Sequence, residues 1–180
     1  MSSDYLDIDT LSGMSPIREA VFSLGSNLGD RFAYLQGAVN HLRTTPGLVI
    51  TGISSVYQTT PVGLVDQPDF LNLVVTADTS LASTVLLERA LAIEEAFDRV
   101  REVPGGPRTV DVDLIAVDDR QIANDFLTLP HPRAHERAFV LVPWYEVDAA
   151  ANLVGHGPIS GLLATLDRNG VQRRDDLRVE

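Results

Sequence analysis

From Arg18 onward apolar residues crowd into Ala20-Val21-Phe22-Ser23-Leu24 and stop at Gly25-Ser26-Asn27, the pattern of a strand that runs into a tight turn. Asp30 then stands as an N-cap before Phe32, Leu35, Val39 and Leu42, whose spacing predicts a helix ending at Thr44-Thr45-Pro46-Gly47. Residues 48–57 are rich in Val, Ile, Thr and Ser and read as a second strand, followed by a Pro- and Gly-containing loop over 59–68. A third strand covers 70–76, and Leu86, Ala90, Ile93 and Phe97 mark one face of a second helix that begins near Ser83. After the breaker run Val103-Pro104-Gly105-Gly106-Pro107, residues 110–117 alternate Val and Asp before turning apolar, as a strand with one end in a polar site does.

The order strand, helix, strand, strand, helix, strand predicts an α+β fold with a ferredoxin-like core, the split βαβ arrangement in which helices pack on an antiparallel sheet. The remaining third reads as a C-terminal helical elaboration. It holds Leu127-Thr128-Leu129-Pro130-His131, a short segment over 133–139, and helices near 142–147 and 159–167. Residues 1–16 are polar and acidic with no sustained period and read as a disordered tail, with Met14 a second possible start. Residues 17–180 are then expected to form one domain.

Composition narrows the chemistry. A chain of 180 residues, 44% of them hydrophobic, suits one domain with a sizeable core. No apolar run reaches the roughly 18 residues a membrane span needs, and no basic-then-apolar leader opens the chain, so a cytoplasmic protein is expected. The absence of cysteine removes disulfides and thiolate chemistry. All 14 basic residues are Arg, so no Lys serves a P-loop or a Schiff base, and any phosphate must be held by Arg, metal or backbone N–H. A net charge of −11 argues against a broad nucleic-acid surface and, with no apolar surface stripe, for a monomer.

Three groups of residues carry candidate chemistry. Asp111 and Asp113 lie i, i+2 on a strand, which sets their carboxylates on one face about 6.6 Å apart, within reach of two hard cations. Two solvent-facing acids on an edge strand would give the same pattern, but Arg108, directly before the pair, suits bidentate phosphate contact. Phe70 and Asn72 share a strand face and could read a flat heteroaromatic ring, or could be core and network residues, and Phe139 could supply a second ring face. His131, Arg133, His135 and Arg137 crowd one Pro-bounded loop, and Arg99 and Arg101 end the second helix. In so acidic a chain this clustering is what an anion pocket requires, although Arg99 and Arg101 also complement a helix dipole.

Gly25-Ser26-Asn27-Leu28-Gly29-Asp30, Gln67-Pro68-Asp69-Phe70-Leu71-Asn72, Gly106-Pro107-Arg108-Thr109-Val110-Asp111-Val112-Asp113 and Leu129-Pro130-His131 together resemble the 6-hydroxymethyl-7,8-dihydropterin pyrophosphokinase family. The resemblance implies transfer of pyrophosphate from ATP to the hydroxymethyl oxygen of the pterin, with AMP as leaving group, in folate synthesis. It implies two magnesium ions on Asp111 and Asp113, with Arg99 and Arg108 completing the catalytic set. It places the pterin between Phe70 and Phe139, read by Asn72 and by backbone of Thr59, Thr60 and Val62. ATP contacts fall to Glu94, Arg99, Arg101, Arg108, Thr128, His131 and Arg137.

The chain departs from the family pattern at Pro104-Gly105-Gly106, where Arg-Trp is usual, and at Leu91, Phe126 and Pro132. The altered loop leaves a second expectation open: a pterin- or nucleotide-binding homologue without turnover.

Overall fold

The computed structural model describes residues 15–98 and 104–180. The tail expected over 1–16 lies almost wholly outside that range, as do Arg99 and Arg101. The main sheet is built from β1 (Arg18–Ser26), β2 (Leu48–Ile53), β3 (Tyr57–Thr59), β4 (Phe70–Thr79) and β5 (Asp111–Val117). Two short hairpins follow, β6 (Ile122–Ala123) with β7 (Thr128–Leu129) and β8 (Asn152–Leu153) with β9 (Gly157–Pro158), before a last strand, β10 (Val171–Arg173). The helices are α1 (Arg31–Arg43), α2 (Ser83–Ala96), α3 (Ala138–Val147) and α4 (Ile159–Thr165).

All pairs in the main sheet are antiparallel, in the order β5, β1, β4, with β2 and β3 end to end along the far edge of β4 and β10 outside β3. This is the ferredoxin-like order, with the expected second strand divided in two. The break falls at Ser54, whose Oγ accepts the Val74 N–H at 2.9 Å and donates to the Ser55 carbonyl at 2.8 Å. A side chain thus replaces one link of the ladder, as Ser can.

Asp30 caps α1 through its side chain, which accepts the Ala33 N–H at 3.0 Å. Helices α1 and α2 cover one face of the sheet, where Phe22, Leu24, Leu73 and Leu114 meet Leu35, Leu42, Leu86 and Ile93. Phe22 is wholly buried, so its truncation to Ala costs about 3–5 kcal/mol. Helices α3 and α4 cover part of the other face, with Val21, Val74 and Ile115 beneath Leu141, Trp144 and Ile159. Helix α3 begins at Ala138 rather than near 142, which brings Phe139 into its first turn. Coverage on both sides explains why β1 and β4 are nearly continuously buried instead of alternating.

Residues opposite one another in a ladder point to the same face. Gly25 pairs with Asn72 on one side and Asp111 on the other, and Ser23 pairs with Val74 and Asp113. Where the apolar cluster beneath α3 and α4 ends, this same face therefore turns polar. No helix among the described residues is long and apolar enough to cross a membrane.

Candidate active site

The polar end of that face opens into a cleft of about 340 Å³. One wall is formed by Thr59, Thr60 and Val62 after β3, by Phe70 and Asn72 of β4, and by Phe139 of α3. The rest of the lining includes Arg108, Asp111, Asp113, His131 and Arg137. The described residues expected from sequence to face a ligand thus converge, with three exceptions: Glu94, Thr128 and His135. Glu94 does not line the cleft: it is 4% exposed, and its Oε1 accepts the Val112 N–H at 3.0 Å, bracing the strand between the two aspartates from behind. Thr128 is exposed in the β6–β7 hairpin and also lies outside the lining.

Asp111 and Asp113 each meet an arginine among the described residues. Arg108 Nη1 is 3.0 Å from Asp111 Oδ2, and Arg137 Nη1 is 3.5 Å from Asp113 Oδ2. Each guanidinium also rests on a ring, Arg108 at 5.0 Å from the Phe70 centroid and Arg137 at 5.5 Å from that of Phe139. The Nε of Arg108 is buried and has no hydrogen-bond partner among the described residues. A buried donor left open on the cleft wall fits an anionic ligand oxygen.

Burial is the main force on His131 and draws its pKa down to about 4, aided by Arg137 and Arg133 and opposed by Asp111. The ring is neutral near pH 7, and its Nδ1 accepts the Arg133 N–H at 3.2 Å. The proton therefore sits on Nε2, which is left as a donor. Burial also pulls Arg137 below the usual arginine range, while Asp113 opposes the shift.

Asn72 is 4% exposed and its Nδ2 donates to Thr59 Oγ1. Its Oδ1 lies over Gly25, 2.6 Å from where a Cβ there would stand, so the glycine is the space the amide occupies. Thr60 lines the cleft, but its N–H is already donated to the Gly170 carbonyl at 3.0 Å and is not open to a ligand.

Sequence reasoning missed the cross-linking of the loops around the cleft. Asn27 is 2% exposed; its Oδ1 accepts the Arg108 N–H, and its Nδ2 donates to Gln67 Oε1 and the Pro68 carbonyl at 2.9 and 3.0 Å. Gln67 Nε2 in turn donates to the Gly105 carbonyl at 2.9 Å. The Gly-Ser-Asn and Gln-Pro motifs thus tie the 60–68 loop to the segment before Arg108. Gly105 and Arg133 also line the cleft. Of the departures from the family pattern, Phe126 is 84% exposed and Leu91 is 41% exposed. His135 stands apart from the cleft, stacked on His156 at 4.1 Å.

Among the described residues no group of three or more His, Cys, Asp or Glu is arranged to hold a metal. A pair of carboxylates is nevertheless the donor set that suits magnesium, which keeps several waters and completes its shell with substrate phosphates. Fold and cleft together define a ferredoxin-like protein whose cleft joins aromatic and amide side chains to arginines and carboxylates, the equipment of an enzyme that presents a phosphate donor to a flat acceptor.

The model of the 7,8-dihydro-6-hydroxymethylpterin-pyrophosphokinase (HPPK) family matches residues 21–149. A protein of Methylorubrum extorquens named 2-amino-4-hydroxy-6-hydroxymethyldihydropteridine pyrophosphokinase is 46% identical over 154 residues, covering 86% of this chain and 97% of its own. A Bacillus subtilis protein of the same name is 45% identical over 128 residues, covering 71% of this chain and 77% of its own. Among solved structures, wild-type Plasmodium falciparum HPPK-DHPS superposes with a TM-score of 0.62 at 16% identity, covering 86% of this chain and 42% of that one. The present chain thus spans less than half of that longer protein, and the likeness concerns the fold. The chain belongs to the 7,8-dihydro-6-hydroxymethylpterin-pyrophosphokinase family, the pyrophosphokinases of folate biosynthesis.

Proposed function

We propose that the cleft transfers the β,γ-pyrophosphoryl unit of ATP to the hydroxymethyl oxygen of 6-hydroxymethyl-7,8-dihydropterin, with Asp111 and Asp113 holding two magnesium ions against the triphosphate. The observation that carries this reading is the meeting, in one cleft, of Phe70, Asn72 and Phe139 with Arg108, Asp111, Asp113, His131 and Arg137. Bound at the aspartates, magnesium supplies neutralisation of the phosphate charge and orientation of the acceptor hydroxyl.

The chain's own residues do the rest by positioning and charge. Phe70 and Phe139 hold the pterin flat, and Asn72, fixed by Thr59, reads its polar edge. The pterin oxygen bonds to the β-phosphorus as the bond from that phosphorus to the α-phosphate bridging oxygen breaks. AMP leaves with that oxygen, and the hydroxyl proton goes to solvent or phosphate. Arg108 offers its open Nε to a phosphate oxygen, and His131 donates from Nε2, both in place before charge develops. No protein nucleophile takes part. We place Arg99 and Arg101 beside the same phosphates by family resemblance alone. The enzyme is read as a cytoplasmic monomer, a reading supported by its charge of −11 and by exposed apolar side chains scattered over several elements.

The test is incubation with ATP, magnesium and the pterin alcohol, followed by measurement of AMP. Release of AMP that is lost in Asp111→Ala and Asp113→Ala is the expected result. Pterin binding without AMP release from the unmodified protein would favour the non-catalytic alternative instead.

A further inference from the structure

The pterin-side wall hangs on a strand of three residues. Strand β3 pairs Tyr57, Gln58 and Thr59 with Asn72, Leu71 and Phe70 of β4, and carries Thr59, the acceptor of the Asn72 amide. So short a strand, with the 60–68 loop directly after it, has little hold of its own. Its outer edge is taken by β10, in register Val171 with Thr59, Gln172 with Gln58 and Arg173 with Tyr57. Beyond the ladder, the Gly170 carbonyl accepts the Thr60 N–H at 3.0 Å. Arg174 adds two ties, from its N–H to the Val56 carbonyl at 2.8 Å and from Nη1 to Gln58 Oε1 at 2.7 Å.

This outer segment is itself fastened at its far end. Leu177 and Val179 pack against the core beneath α1 and α2. The Glu180 carbonyl accepts from Arg43 Nη2 at 2.8 Å, and the Glu180 N–H donates to Gln36 Oε1 at 3.0 Å. The strap lies outside residues 21–149, the part matched by the family model.

At Gly170 the strap meets the wall with no room for a side chain. Its φ is +79°, in the left-handed region. A Cβ there would stand 2.3 Å from Thr60 Oγ1 and 3.2 Å from Thr60 Cγ2. Both its backbone and its missing side chain are therefore required for Thr60 to sit where it does.

We propose that Gly170 is a positioning residue for the pterin side of the cleft: through Thr60 and β3 it fixes Thr59, and through Thr59 the Asn72 amide, without touching a substrate. The inference rests on the pterin reading of that wall given above. It separates the two substrates, because Asp111 and Asp113 belong to β5, Arg108 to the loop before it and His131 to the segment after β7, whereas among the described residues β10 pairs only with β3.

The experiment compares Gly170→Ala with Gly155→Ala. Gly155 has φ +80° with nothing within 4 Å of its would-be Cβ, so its variant carries the same backbone strain without pressing on Thr60. Binding of the pterin alcohol is measured by calorimetry in the presence of magnesium and a non-hydrolysable ATP analogue, and binding of the analogue is measured alone. Gly170→Ala is expected to weaken pterin binding about tenfold or more while analogue binding stays within about twofold, the pattern of a lost ground-state contact for one substrate. Gly155→Ala is expected to lower the Tm comparably and leave both affinities unchanged.

Should Gly170→Ala not fold, Gly170→Asn tolerates the left-handed backbone better and brings the same Cβ against Thr60. Unchanged pterin binding in the Gly170 variant overturns the proposal, as does an equal fall in both affinities or the same pterin defect in Gly155→Ala. Pterin binding by the unmodified protein without AMP release removes the catalytic reading and leaves the strap testable. No pterin binding by the unmodified protein removes both.

Discussion

Arg108 lies 5.0 Å over the Phe70 ring while its Nη1 is 3.0 Å from Asp111, and Arg137 repeats the arrangement with Phe139 at 5.5 Å and Asp113 at 3.5 Å. Each carboxylate thus meets an arginine that rests on one of the two rings lining the cleft. In the proposed reaction the carboxylates would hold magnesium and the guanidinium groups would turn to phosphate, so that neither side would bury an unpaired charge.

Arg108 covers the Phe70 ring and pairs with Asp111, and if it also contacts phosphate as proposed, Arg108→Ala is expected to lower kcat/KM for ATP by about 10²–10³-fold. Arg108→Lys should recover little of this, because an ammonium cannot lie flat on Phe70 while forking to Asp111 and phosphate. Steady-state AMP release in the three proteins decides it, and near-full recovery in the Lys variant would contradict the planar role.

Much of this site could be read from the chain, because its parts are local. Alternation placed Asp111 and Asp113 on one face of β5, and the structure has both lining the cleft with Val112 buried behind them. Asp30 was legible as a cap for the same reason: its partner is three residues away. What could not be read depends on distant pairings. The row Asn72, Gly25, Asp111 exists only through the registers of β4 and β5 on β1. The break at Ser54 depends on Val74, and β10 on an edge left open by β3. A clue to β10 was present in Asn169-Gly170 followed by Val171, a turn before a β-branched residue, but three residues are too few for a periodic signal.

Among the described residues, two carboxylates are all the protein offers a metal here. Asp111→Asn and Asp113→Asn are each expected to cut AMP release by about 10³-fold or more, since the lost charge stabilisation is several kcal/mol and about 1.36 kcal/mol is a factor of ten. Both side chains are partly exposed and Asn still accepts from the neighbouring arginine, so the Tm should move by only a few degrees. Magnesium titrations of activity, with calorimetric unfolding beside them, test the pair of expectations. A variant with native activity at native magnesium concentration would remove that aspartate from the metal site.

Gly25 holds the space between the acceptor wall and the carboxylates. In Gly25→Ala the new Cβ meets Asn72 Oδ1 at 2.6 Å, and the amide, locked to Thr59, has no easy retreat. Pterin binding is expected to weaken about tenfold, or ~1.4 kcal/mol. A pterin dissociation constant equal to that of the unmodified protein would show that Asn72 does not fix the ring.

His131 links the site to the acid limit of stability. Burial lowers its folded pKa to about 4 from the ordinary histidine value of 6.5, so between these values the unfolded chain binds a proton that the folded chain refuses. Stability therefore rises with pH across that window and falls as the solution is acidified through it. Replacing the ring by Gln keeps a donor in the cleft and removes the titration, so His131→Gln should flatten the slope of unfolding free energy between about pH 4 and 6.5. Urea unfolding at several pH values in both proteins measures that slope, and the proton shifts of the His131 ring report its ionisation directly. A ring that titrates near 6.5, or a slope unchanged by the substitution, would mean that the imidazole is hydrated and that its Nε2 proton is not held in readiness for a phosphate oxygen.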